Sequence, residues 1–181
     1  LRCRSGADRT GVLMRSLMPK ALHEALLQSG LRVATAESCT GGMLAAALTD
    51  RAGSSAYFEG AIVAYQERRK EAWLGVRAET LARYTAVSEK TAQEMLMGIL
   101  ASAAADVGLA TTGYAGPGGG TASEPCGTVY IACGSKTDYK VHRCVFSGTR
   151  EEVRASAVRF ALEQLTTWLQ THSKEDTIDG K

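Results

Sequence analysis

The chain has 181 residues, enough for one domain with a substantial core and too few for two ordinary ones. Lysine and arginine number 21 against 19 acidic residues, so the basic excess and aromatic-interleaved patches expected of a nucleic-acid binder are missing. Five cysteines without a CxxC pair and three histidines without zinc spacing point to free thiols in a reducing cytoplasm, with no metal or cofactor; no run reaches the ~18 apolar residues of a membrane span, and no leader pattern opens the chain.

The first 13 residues hold Cys3, five intervening residues, then Arg9, Thr10 and Gly11. They resemble the phosphate loop of protein tyrosine phosphatases, where a thiolate attacks phosphorus while loop amides and the arginine hold its oxygens. That family needs a sheet and a general-acid aspartate loop ahead of the cysteine, and two residues precede Cys3. Residues 1–18 are therefore read as a disordered N-terminal extension.

Apolar residues at helical spacing then predict a helix from Pro19, tolerated in a first turn, to a stop at Gly30; His23 on it is read as filler. Leu31–Ala34 predicts a strand and Met43–Leu48 a helix, so 34–42 (Ala-Thr-Ala-Glu-Ser-Cys-Thr-Gly-Gly) reads as a strand-to-helix turn. The first amides of a helix lack internal partners and point outward, and Gly41 and Gly42 let a ligand approach them. Ser38 in such a turn suits acyl transfer, with Thr40 beside it; phosphate binding and simple helix capping remain equally open.

Residues 58–65 predict a strand ending at Tyr65, followed by a helix from Gln66 to Leu74 stopped by Gly75. Lys70 on that helix reads either as a surface lysine beside Arg68 and Arg69 or, if the strand neighbours the one leading to Ser38, as a residue at the same rim of the sheet. A short helix is expected over 78–84, then a longer one capped by Ser88 and running to Ala105, with Met95, Leu96, Ile99 and Leu100 buried. A strand over 107–112 leads into Gly113-Tyr114-Ala115-Gly116-Pro117-Gly118-Gly119-Gly120. So many glycines cost folding entropy unless backbone must approach something closely. Two antiparallel strands, 127–133 and 139–146, come next; His142 is read as a surface residue of the second. Thr149-Arg150-Glu151-Glu152 matches a capping box for a helix to about Gln170, with Arg150 and Arg154 placed where cations oppose the dipole, and residues 171–181 read as a disordered tail.

The segments Thr35–Gly42, Gly53-Ser54-Ser55, Ala64-Tyr65 with Lys70, Leu74-Gly75-Val76, Ala86-Val87-Ser88, Thr112–Pro117 and Gly127-Thr128-Val129, in this order, resemble the CinA C-terminal-domain family, the nicotinamide-nucleotide amidases. The resemblance implies a single three-layer α/β domain over residues 19–170, a mixed sheet with helices on both faces. It further implies hydrolysis of nicotinamide mononucleotide to nicotinate mononucleotide and ammonia, in bacterial pyridine-nucleotide salvage. By position, Ser38 resembles the nucleophile, with Tyr65 and Lys70 as its partners. The neutral amine replaces histidine as base, with Arg68 and Arg69 suggested as the charges that keep it neutral, and Tyr65 as a proton relay or an orienter of Lys70. Thr40, Gly41, Gly42, Thr112, Gly113, Ala115, Gly116 and Arg150 are the expected substrate-binding positions, the last for a phosphate. The chain departs from the family's usual Ser-Asn after the tyrosine, having Gln66-Glu67, and has Arg69 where a small residue is usual. The expected partner is a small nucleotide, with no nucleic acid or membrane, and a homo-oligomer is left open. Two alternatives are a non-catalytic nucleotide-binding module of the same fold and a phosphatase-type fragment using Cys3 and Arg9.

Overall fold

The computed structural model describes residues 17–172. The phosphatase-like loop with Cys3 and Arg9, and the tail after His172, lie outside the described residues. In chain order the elements are α1 (Lys20–Ser29), β1 (Val33–Glu37), α2 (Met43–Thr49), a 3-10 turn (Ser54–Ala56), β2 (Phe58–Val63), α3 (Glu67–Leu74), α4 (Ala78–Tyr84), α5 (Glu89–Ser102), β3 (Val107–Gly113), β4 (Thr128–Gly134), β5 (Tyr139–Val145) and α6 (Arg150–His172). Glycines close α1 and α3 in the left-handed conformation, at Gly30 and Gly75. Ser88 caps α5 by accepting from the Thr91 amide, and Thr149 and Glu152 form the reciprocal capping box that opens α6.

The five strands form one sheet in the order β2-β1-β3-β4-β5; β1 is parallel to β2 and β3, and the last two pairings are antiparallel. A helical crossover precedes each of the parallel partners, and a direct return joins the antiparallel ones. The three central strands are buried along nearly their whole length, whereas edge strand β2 alternates half-buried and exposed residues. On one face α1, α2 and α6 pack Leu22, Leu26, Leu44, Leu162 and Leu165 against Val33, Leu109 and Ile131. On the other, α3, α4 and α5 pack Leu74, Leu81, Met95, Leu96 and Ile99 against Ala34, Ala36 and Ala110. Small strand residues on this second face let α5 lie close to the sheet. The predicted three-layer α/β architecture is therefore the observed one.

Boundaries differ where tertiary pairing outweighs local signals. The first strand runs to Glu37, through residues expected to turn, because hydrogen-bonded neighbours on both sides extend it, with Glu37 opposite Val63 and Thr111. Tyr65 lies two residues beyond β2 rather than at its end. Met18, expected in the extension, is fully buried, and its carbonyl accepts from Arg51; α6 continues two residues past Gln170. His23 is core filler as expected: its Nδ1 lies 3.0 Å from the Tyr57 hydroxyl, which donates to Leu48 O.

Candidate active site

The order β2-β1-β3 makes the carboxyl ends of β1 and β3 the point where the connections diverge to opposite sides, the place where open α/β sheets bind ligands. Ser38 follows β1 there, and the glycine-rich loop follows β3. The Ser38 amide donates to Thr111 O at 2.9 Å, fixing the turn to β3. From the other side α3 delivers Lys70, whose Nζ lies 2.9 Å from Ser38 Oγ and donates to Ala64 O at 2.8 Å. Sequence position leaves open whether Lys70 is a surface lysine; it is 1% exposed, and Ser38 8%. Burial lowers the Lys70 amine to about 8, opposed by smaller effects of Cys39 and Glu67.

Two expectations need correcting. Arg68 and Arg69 do not depress Lys70: both are exposed, and the Arg69 guanidinium stacks over Trp73 at 4.9 Å. Nor do the first amides of α2 stand free. Glu37, fully buried at the end of β1, reaches under the turn and accepts from the amides of Gly42 (2.9 Å), Leu44 (3.1 Å) and Ala45 (2.8 Å). Its carboxylate also accepts from Thr40 Oγ1 at 2.6 Å. The Gly41 and Met43 amides are taken by Ser38 O and Thr40 O. The helix end is thus filled by the protein's own carboxylate, which rules out the open phosphate cradle suggested by the glycines. Among the described residues no oxygen accepts from the amides of Cys39 and Thr40, which lie against the Cys39 sulfur. The Cys39 thiol is itself buried, and burial pushes it up to about 12, so it stays protonated.

The other predicted positions fall into two groups. Thr40 and Thr112 are buried with their hydroxyls on internal partners, Thr40 on Glu37 and Thr111, and Thr112 on Ala86 O at 2.6 Å. Gly41 and Gly42 adopt positive φ in the turn, Gly113 ends β3 against Thr128, and Ala115 is buried. Arg150, by contrast, spans the mouth of the site: its Nη1 donates to Gly116 O at 2.7 Å and its Nη2 to the Tyr65 hydroxyl at 2.9 Å. Tyr65 is 54% exposed, and only its backbone carbonyl lies near Lys70, at 3.5 Å. The relay role suggested for the Tyr65 hydroxyl therefore has no contact behind it in this structure. Tyr65 also lines an open cleft of about 610 Å³ with Gln66, Glu67, Arg68 and Ala86; the Gln66-Glu67 departure forms cleft wall, while Gln66 O accepts from the Lys70 amide at 3.1 Å and the Glu67 charge acts on the Lys70 amine.

Sequence reasoning missed Glu37 as the residue that organises the turn. Its signal was a lone acidic residue in an otherwise apolar and small strand that ends at a glycine-rich turn.

Residues 16–169 match the family model of the CinA C-terminal domain. The nicotinamide-nucleotide amidohydrolase PncC of Escherichia coli K12 is 45% identical over 154 residues, covering 84% of this chain and 92% of that protein. A CinA-like protein of Desulfotalea psychrophila is 42% identical over 155 residues, 86% of this chain but 38% of that protein; the chain spans little more than a third of the first such relatives. Among solved structures, a CinA superfamily protein from Klebsiella pneumoniae superposes with a TM-score of 0.80 at 45% identity, over 83% of this chain and 94% of that one.

Proposed function

The chain belongs to the CinA C-terminal-domain family, and from that premise we propose that it hydrolyses the carboxamide of nicotinamide mononucleotide by a Ser-Lys mechanism, in pyridine-nucleotide salvage. The observation that carries the reading is the buried Lys70 amine 2.9 Å from Ser38 Oγ. A neutral Lys70 keeps one N–H on Ala64 O and accepts the Ser38 proton on its lone pair, leaving Oγ to attack the carboxamide carbon. The amides of Cys39 and Thr40 hold the resulting oxyanion. The ammonium form of Lys70 then protonates the departing nitrogen, ammonia leaves, and an ester to Ser38 remains. Water, deprotonated by the same amine, attacks that ester; the C–O bond to Ser38 breaks, nicotinate mononucleotide leaves, and the Lys70 ammonium returns its proton to Ser38 Oγ. Arg150 at the mouth is the cation for the substrate phosphate, exchanging its Tyr65 or Gly116 contact for phosphate oxygens.

The test is ammonia release from nicotinamide mononucleotide by the wild type and by Ser38→Ala, with thermal melting of both in the presence of substrate. Release by the wild type alone, with equal substrate-induced stabilisation of the two, is the expected result. Stabilisation without any release converts the reading to a nucleotide-binding module. Absence of both removes the substrate.

A further inference from the structure

Arg154 stands one turn beyond Arg150 on α6, where a cation opposes the helix dipole and needs a compensating partner. It finds backbone. Its Nε donates to Cys39 O at 3.1 Å and its Nη2 to Thr40 O at 2.8 Å, across 114 residues of sequence or more. A side chain at position 41 would intrude here: a Cβ on Gly41 would lie 3.2 Å from Nη2, and the backbone has φ of +59°. The glycine therefore serves the approach of the guanidinium to the turn from one side, while Glu37 fastens the turn from beneath.

The two peptide units whose N–H groups belong to Cys39 and Thr40 both have their carbonyls bonded. Ser38 O accepts from the Gly41 amide, and Cys39 O from Arg154. A donor on the oxygen of a peptide withdraws electron density through the conjugated C–N bond, so its N–H becomes a stronger donor; a charged guanidinium does this more than a neutral amide. The Cys39–Thr40 peptide is the unit so polarised, and its N–H belongs to Thr40.

We propose that Arg154 is a positioning residue for the oxyanion: it holds the 38–42 turn in place and polarises the Cys39–Thr40 peptide, so that the Thr40 amide takes the negative charge formed when Ser38 attacks a carbonyl. This rests on Ser38 as the acyl-transfer nucleophile. It assigns Arg154 and Arg150 different tasks despite their spacing of one helical turn. Arg150 faces the substrate, whereas Arg154 faces the back of the catalytic turn and never meets the ligand.

Two rates test it in the wild type, Arg154→Ala and Arg154→Lys: ammonia release from nicotinamide mononucleotide, and covalent labelling of Ser38 by a fluorophosphonate, with Ser38→Ala as the unlabelled control. In Arg154→Ala both kcat and the labelling rate should fall about ten- to a hundredfold, less than for loss of a direct donor, while KM stays within about twofold. The pH inflection set by Lys70 should not move, since Arg154 is not among the groups acting on that amine. Arg154→Lys, which keeps the charge but cannot span both carbonyls, should recover part of the rate. Guanidinium ion added to Arg154→Ala should recover part as well. An unchanged labelling rate overturns the proposal, as does a raised KM with kcat preserved, which would place Arg154 on the substrate. A loss that neither the lysine variant nor guanidinium repairs overturns it too, in favour of a purely structural role. If the wild type is labelled yet releases no ammonia, the substrate assignment fails and the labelling rates alone decide for or against Arg154; a wild type that is neither labelled nor active overturns both.

Discussion

Lys70, the proposed base, carries its proton for the most part at neutral pH. Burial lowers its amine to about 8, so at pH 7 roughly a tenth of it is neutral and able to accept a proton. Turnover should rise through pH 8 and level off above it, as a pH–rate profile would record; an inflection at the ~10.4 of a free lysine would sink the assignment. Lys70→Arg should be inactive at every pH, because arginine cannot lose its proton in this range. Arg69→Ala should leave the inflection in place, since burial and not that arginine sets it. The same shift has a stability counterpart with a definite sign. Below pH 8 the amine is charged in folded and unfolded chains alike, and its burial cost is felt in full; above the unfolded value it is neutral in both and the cost is gone. Wild type should therefore gain stability relative to Lys70→Met as pH rises from about 8 toward ~10.4, measured by urea unfolding. At the neighbouring position, Cys39→Ala should keep near-normal turnover, because a thiol pushed up to about 12 supplies no thiolate.

At the scale of elements, the junction of β1 and α2 depends on Glu37. Five donors converge on this carboxylate at 2.6–3.4 Å, three of them main-chain amides of the α2 end and two the hydroxyls of Thr35 and Thr40. Glu37→Gln turns one acceptor oxygen into a donor facing other donors. It should cost about 2–4 kcal/mol in chemical denaturation, in the range of losing a buried charged acceptor, and should lower turnover through the displaced turn. A variant as stable as wild type would show that the amides have another cap. The crossing of α3 and α5 offers a second case. A Cβ on Gly98 would fall 1.9 Å from the carbonyl oxygen of Leu74, main chain that cannot rotate aside. Gly98→Ala should therefore destabilise by about 2 kcal/mol or more despite the better helix propensity of alanine, and should disturb α3, which carries Lys70. Paired melts and kinetics of this variant would expose both effects.

Over the whole molecule, the proposed site draws on four stretches distant in sequence, one of which supplies both Tyr65 and Lys70. The Ser38 turn follows β1, Lys70 comes from α3, Tyr65 from the β2–α3 connection just before it, the glycine-rich loop from the end of β3, and the arginines from α6. Arg150 ties three of these together through Gly116 O and the Tyr65 hydroxyl. If it carries the substrate phosphate, Arg150→Ala should raise KM more than it lowers kcat, and the unphosphorylated riboside should be a poor substrate for wild type but lose its disadvantage in the variant. Equal KM values for nucleotide and riboside in the wild type would remove the phosphate role. Tyr65→Phe should weaken the bridge without removing the cation, giving a smaller KM effect than Arg150→Ala.

Local chemistry carried a large part of this molecule. Hydrophobic period and glycine stops placed the helices and strands, the capping box at Thr149 and Glu152 opened α6 where expected, and the order of short motifs led to the family. Those features depend on neighbours within a turn or a strand, so a linear reading reaches them. Three things were decided only in the folded chain. The first strand extends to Glu37 because hydrogen-bonded partners on both sides outweigh a local turn signal. Lys70 is a buried amine rather than a surface one because packing, not its arginine neighbours, sets its surroundings, and desolvation follows from packing. The helix end that looked open to an anion is closed by a carboxylate five residues upstream, and the peptide carrying the Thr40 amide is backed by a guanidinium from the far end of the chain. Hydrogen-bond partners separated by tens of residues leave no period or spacing behind, and they settle which of the turn's donors remain for chemistry.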